Sequence, residues 1–75
     1  MDELIGDIQK NSTEIIRVAL TDYKGHQLIS CRVHFKNKAG EWCPNRKGLT
    51  IKVDAARELI LRLQNAVEKL ADSNA

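Results

Sequence analysis

The stretch TEIIRVALTDYKGHQLISCRVHFK, residues 13–36, carries two period-two patterns around one short turn. In its first half Ile16, Val18 and Leu20 alternate with Arg17, Ala19 and Thr21, the pattern of a strand with one apolar face. Asp22-Tyr23-Lys24-Gly25 supplies the turn, since Gly25 takes positive φ at no steric cost. From His26 to Lys36, Ile29, Cys31 and Val33 alternate with Leu28, Ser30, Arg32 and His34, which predicts the returning strand.

Working outward toward the C-terminus, Asn37-Lys38-Ala39-Gly40 reads as a second turn. Glu41-Trp42-Cys43 is at most a short third strand, stopped by Pro44, whose nitrogen cannot donate to a ladder. Asn45-Arg46-Lys47-Gly48 reads as a loop, and Leu49, Ile51 and Val53 mark a fourth strand. Asp54 is placed to cap a helix. Within that helix Leu59, Ile60, Leu63, Ala66, Val67 and Leu70 recur at three- and four-residue spacing, and fraying is expected near Asp72. Toward the N-terminus, Leu4, Ile5 and Ile8 would line a turn or two of helix, but nothing continues the period, so residues 1–12 read as an arm. The organisation expected is an arm (1–12), one domain (13–71) and a frayed tail (72–75). Short connections make this an α+β fold, an antiparallel four-stranded meander followed by one C-terminal helix packed on one face. The helix is expected to bury Ile16, Val18, Leu20, Ile29, Cys31, Val33, Leu49, Ile51 and Val53.

At 75 residues, with 43% hydrophobic and 29% charged, the chain is one small globular domain and not a disordered or low-complexity segment. A core this small leaves little surplus stability, and a second copy of the chain is the simplest source of further burial. No apolar run approaches the ~20 residues that span a bilayer, and the acidic start Met1–Ile5 is unlike a signal peptide. Cys31 and Cys43 are too few for a disulfide scaffold and read as reduced thiols in a cytoplasm.

The net charge of +2 conceals an asymmetry, for residues 1–16 carry −3, residues 17–52 carry +6 and residues 53–75 carry −1. A basic excess confined to the middle of the chain is the footprint of a polyanion partner. The face opposite the helix is expected to present Arg17, Thr21, Tyr23, Leu28, Ser30, Arg32, His34, Thr50 and Lys52. Cations there meet phosphates, and flat rings accept unstacked bases, a combination suited to single-stranded nucleic acid. Entry into a duplex groove needs a protruding helix or ribbon, and the helix here has its apolar stripe committed to the core. All three aromatics, Tyr23, Phe35 and Trp42, lie in the basic segment beside turns. Phe35 has the parity of the apolar face and would be buried there unless a bulge re-aims it.

The segment from the D-[aromatic]-K-G turn at Asp22–Gly25 to Pro44-Asn45-Arg46-Lys47-Gly48 resembles the transcriptional positive cofactor four family of coactivators. Between those motifs lie Leu28-Ile29-x-x-Arg32-x-x-Phe35 and the Gly40-Glu41 turn, in order, and the likeness spans about residues 13–71. The resemblance, to the short bacterial members in particular, implies a curved four-stranded antiparallel sheet backed by one helix. It implies symmetric homodimers whose paired sheets bind single-stranded or melted DNA with little sequence preference. It implies Tyr23 and Phe35 as base-stacking rings, Lys24 and Arg32 as cations on the strand's backbone, and Arg46 and Lys47 as loop cations on phosphate. His26 stands where the family often has lysine, and Trp42 adds a ring where the family has an aliphatic residue.

The candidate nucleic-acid-binding residues are thus Arg17, Tyr23, Lys24, His26, Arg32, Phe35, Lys36, Trp42, Arg46 and Lys47. The expected role is DNA binding in transcription regulation, repair or replication, in a bacterial cytoplasm or nucleoid. The alternative is a dimeric module for RNA or an acidic protein. No cofactor, metal or membrane partner is expected. Cys31 and His34, three apart on a strand, point to opposite faces and suit no zinc site. Gly-rich phosphate loops, Gly-x-Ser-x-Gly and paired acids in a polar run are all missing from the sequence, so no enzyme is expected.

Overall fold

A computed structural model describes residues 2–73. Strands β1 (Glu3–Gln9), β2 (Glu14–Tyr23), β3 (His26–Lys36) and β4 (Trp42–Ile51) form one antiparallel sheet in chain order, followed by helix α1 (Val53–Ser73). The α+β class, the meander and the single C-terminal helix are those predicted. The four strands are a different four.

Residues 3–9, read as an arm, pair with β2 from Glu3↔Leu20 to Gln9↔Ile15. The sequence hides this strand because its ladder is interrupted between Leu4 and Gly6, which leaves Ile5 out of register and breaks the alternation. The two short strands expected on either side of Pro44 are one strand, β4. Pro44 is tolerated because β4 is the sheet edge and its register shifts there. Gly48 faces Arg32 and Pro44 faces His34, so Asn45, Arg46 and Lys47 bulge opposite Val33.

The β2–β3 connection has φ of 50° at Lys24 and 82° at Gly25, the two consecutive positive values of a type I′ hairpin turn. The β3–β4 loop is organised by Asn37. Its Oδ1 accepts from the amides of Ala39 and Glu41, both at 2.9 Å, and its Nδ2 donates to Cys43 Sγ at 3.2 Å. The β1–β2 loop, at the same end, is tied by Asn11 Nδ2 and Lys10 Nζ donating to Glu14 Oε1 at 2.7 and 3.0 Å. These two donors hold the Glu14 carboxyl below its ordinary range.

Val53, expected at the end of a strand, is the first residue of the helix. The Ala56 amide donates to the Lys52 carbonyl at 3.0 Å, so Lys52 holds the cap position and Asp54 sits one step inside the first turn. There its carboxylate still opposes the positive end of the helix dipole. Of the nine residues expected beneath the helix only Val33 is buried, while Leu49 and Val53 are 41% and 48% exposed. Along the helix only Ala56 and Leu59 reach half-burial, and Ile60, Leu63, Val67 and Leu70 lie open. Ile15, assigned to neither face from sequence, is the other buried apolar residue at 4% exposure. Asn74 and Ala75 of the expected frayed tail lie outside the described residues, and the helix runs unbroken to Ser73.

The tightest backbone approach lies at Gly48, where φ is 151°. A Cβ there would meet the Cys31 carbonyl oxygen at 2.6 Å and Arg32 Cα at 2.8 Å. Gly48→Ala should cost roughly 1–3 kcal/mol, the scale of local backbone strain. Urea unfolding at fixed protein concentration checks this, with Gly6→Ala as control because a Cβ at Gly6 meets nothing within 4 Å.

Candidate nucleic-acid interface

Residues paired across antiparallel strands share a face, so the registers sort the candidate side chains. One face carries the rows Gln9–Ile15–His34–Pro44, Asp7–Arg17–Arg32–Gly48 and Leu4–Ala19–Ser30–Thr50, and beyond them Thr21–Leu28 and Tyr23–His26. The opposite face carries Ile16–Val33, Val18–Cys31–Leu49 and Leu20–Ile29–Ile51, toward the side where the helix starts. The polar face bears an open groove of about 400 Å³ lined by Asp2, Glu3, Leu4, Arg17, Ala19, Ser30, Arg32, His34 and Pro44. The alternation read from the sequence therefore places Arg17, Arg32 and His34 together as expected.

Each cation in this groove is already engaged. Arg17 donates through Nε to Asp7 Oδ1 at 2.8 Å and through Nη2 to Asp7 Oδ2 at 3.0 Å, a bidentate pair across β1 and β2. The guanidinium lowers the Asp7 carboxyl from its ordinary range, and the carboxylate raises Arg17 in turn. Arg32 Nη1 donates to the carbonyls of Asn45 and Arg46 at 3.2 and 3.3 Å, which braces the bulge of β4. Arg46 and Lys47 are exposed on that bulge. His34 Nδ1 donates to the Arg32 carbonyl at 3.2 Å.

The rings separate into two ends. Tyr23 is 61% exposed beside the β2–β3 turn, with Lys24 Nζ 5.4 Å from its ring centre. Trp42 lies at the far end in register with Lys36, whose Nζ is 5.6 Å from the Trp42 ring centre. Lys36 and Trp42 share the face of His34 and Tyr23 by alternation. Phe35 pairs with Glu14 and Cys43, so no bulge re-aims it and it lies on the apolar side, where it is nonetheless 39% exposed. Nine residue steps separate the Glu14–Phe35 pair from Tyr23 along β2, about 30 Å at strand rise. Tyr23 and Phe35 are therefore not neighbours within one chain.

Sequence reasoning missed Asp7 and Asn37. Asp7 is visible only once β1 is aligned with β2, and Asn37 looks like any turn residue until its three bonds are traced. Cys31 and His34 fall on opposite faces, and among the described residues no three His, Cys, Asp or Glu side chains cluster to hold a metal. Among the described residues no helix is long and apolar enough to cross a membrane.

Comparison with known proteins gives a family and a fold. Residues 10–61 match the family described as Transcriptional Coactivator p15 (PC4). A PC4 homolog from Burkholderia pseudomallei K96243, in an orthorhombic crystal form, superposes with a TM-score of 0.81 at 28% identity, covering 87% of this chain and 88% of that one. Its tetragonal form gives 0.81 at 27% identity, covering 89% and 98%. The bacteriophage T5 homolog of the eukaryotic coactivator PC4, implicated in recombination-dependent DNA replication, gives 0.72 at 15% identity over 93% and 81%, a likeness of fold. No curated protein sequence matches the chain.

Lys24 is the one described non-glycine residue at positive φ, a conformation costing about 1–2 kcal/mol for most L-residues and less for asparagine. Lys24→Asn should therefore unfold at higher urea than the natural chain while weakening its hold on a polyanion. Equilibrium unfolding and heparin-column retention check the two halves, and a stability loss would contradict the strain at this turn.

Proposed function

The chain belongs to the Transcriptional Coactivator p15 (PC4) family, and from that premise we propose that it binds single-stranded or melted DNA as a homodimer, with little sequence preference. The family is one of DNA-binding coactivators. The observation that carries the finer reading is the face itself, with cations across its middle and a ring beside a lysine at each end.

The proposed roles follow from placement. Tyr23 and Trp42 offer ring faces to unstacked bases, and Lys24 and Lys36 beside them meet the flanking phosphates. Arg46 and Lys47 reach phosphates from the bulge, His26 adds a donor next to Tyr23, and Arg17 and Arg32 line the groove between. Phe35 joins where the strand rounds the end of the sheet. His26 and Lys36, the partners of Tyr23 and Trp42, are ten steps apart on β3, so a strand touching both rings spans about ten nucleotides at the stacked rise of ~3.4 Å, and fewer when extended.

Pairing with a second copy is supported by what one chain leaves uncovered. A compact 75-residue domain has a radius of gyration of about 11 Å, against 14.6 Å here. A compact 8.5 kDa chain exposes about 4,700 Å², against 6231 Å² here. The excess, about 1,500 Å² per chain, doubles to about 3,000 Å², within the 2,000–5,000 Å² range of obligate homodimer interfaces. The exposed helix stripe Ile60, Leu63, Val67 and Leu70 is the surface we assign to that interface.

Transcription regulation, repair and replication at a nucleoid are the processes such binding serves. Fluorescence anisotropy with oligo-dT, matched duplex and oligo-U at two salt concentrations tests the reading. We expect oligo-dT to bind more tightly than duplex, affinity to grow with length up to roughly ten nucleotides, and Tyr23→Ala and Trp42→Ala each to lose about 1–3 kcal/mol. Equal binding by both ring variants and the natural chain would leave only charge adhesion. A preference for oligo-U would move the partner to RNA, and a monomer by sedimentation at micromolar concentration would remove the pairing.

A further inference from the structure

We propose that Arg17 is a latent phosphate-binding residue of the DNA face, held in reserve by Asp7, so that strand β1 limits affinity by offering its own carboxylate where a phosphate would sit. This rests on the DNA-binding reading above. The row Asp7–Arg17–Arg32–Gly48 crosses the middle of the polar face, between the Tyr23 and Trp42 ends. A strand running from one ring to the other passes over it. Both fork nitrogens of Arg17 that point at Asp7 are used, at 2.8 and 3.0 Å, in the geometry a guanidinium uses for a phosphate. Asp2, just before β1, also lines this groove, while the neighbouring Glu3 pairs with Leu20 and belongs by register to the opposite face. Asp2 and Asp7 thus bring acidic groups to the edge of a face whose other chemistry attracts acids.

The pair is half-exposed, so a phosphate can compete for Arg17 without unfolding the strand. The carboxyl of Asp7 is held below its ordinary range, first by its hydrogen bond to Arg17, so neutral pH does not open the pair. Release comes from competition by the polyanion. When a phosphate takes Arg17, the freed Asp7 carboxylate recovers a counterion. The exchange then yields no net ion release at that contact, and the salt dependence of binding is shallower than the face's cations would give.

That signature makes the test. Oligo-dT binding by the full chain is measured by anisotropy across a salt series for Asp7→Asn, Arg17→Ala and the double variant. Asp7→Asn should bind roughly two- to fivefold tighter at low salt, the scale of an exposed ion pair. Its log–log salt slope should steepen by about 0.7, one phosphate contact on a single strand. Both gains should vanish in the double variant. Asp7→Asn binding no tighter than the natural chain, or a gain that survives Arg17→Ala, overturns the latch while leaving the DNA reading intact. A natural chain that does not bind oligo-dT at all sinks both. Thermal unfolding checks that β1 stays docked. Should Asp7→Asn fail to fold, Arg17→Ala decides alone: a change under twofold is expected, and a loss as large as that of Lys24→Ala overturns the proposal.

Discussion

Tyr23 pairs with His26 across a two-residue turn, and that pairing fixes the register of an unbroken ladder down to Glu14 and Phe35. Every assignment of side chain to face descends from it. Because strand side chains alternate, a slip of one residue would exchange the aliphatic and the cationic sets. The turn that prevents the slip demands positive φ at both central positions, and it places a lysine at one of them. A residue suited to the conformation would hold the register at lower cost, so the side chain at Lys24 answers a different demand from the backbone beneath it.

At the other side of β3 the constraint is one of room. Gly48 lies against Arg32 so closely that a side chain has no place, and next to it the strand sets three residues opposite Val33 alone. This bulge turns the carbonyls of Asn45 and Arg46 toward the Arg32 guanidinium, which satisfies acceptors that the broken ladder leaves without strand partners. Arg32 thereby keeps the bulge in one shape, and the exposed cations on it start from a fixed base. A glycine, a half-buried arginine and a proline on an edge strand act as one device. The P-x-R-K-G motif is the trace that device leaves in the sequence.

This explains what reading the sequence could and could not reach. The β2–β3 hairpin was legible because Ile16, Val18 and Leu20, with Ile29, Cys31 and Val33, alternate without interruption. Strand β4 was read as two pieces because a bulge breaks the period and Pro44 looks like a terminator; only pairing to β3 joins them. Strand β1 was lost for the same reason at Ile5. The candidate cations were found by charge and parity, but their partners were not. Asp7 meets Arg17 through a register between strands that neither strand announces alone. The helix was legible from its spacing, yet its burial was overstated. A stripe of Ile60, Leu63, Val67 and Leu70 shows that a surface is apolar, not whether the same chain covers it.

The two ends of the polar face follow one plan by different routes. At one end Lys24 and Tyr23 are adjacent in sequence and meet because the turn folds the ammonium over the ring. At the other, Lys36 and Trp42 are brought together by strand pairing across the Asn37 loop. In each case the attraction of an ammonium for the ring's π face steadies two mobile groups. In the proposed complex one side of each ring would take a base, with the ammonium 5.4 or 5.6 Å from the ring centre near the adjoining phosphate. Arranging ring and charge in advance reduces the ordering that a flexible strand would otherwise impose on the protein. Between the ends, the cations are engaged with the protein's own acceptors: Arg17 with a carboxylate, Arg32 with two carbonyls. On the proposed reading the face would be most open to a polyanion at its extremities and most restrained at its centre, so ligands long enough to reach both rings would be favoured over short anions settling in the groove.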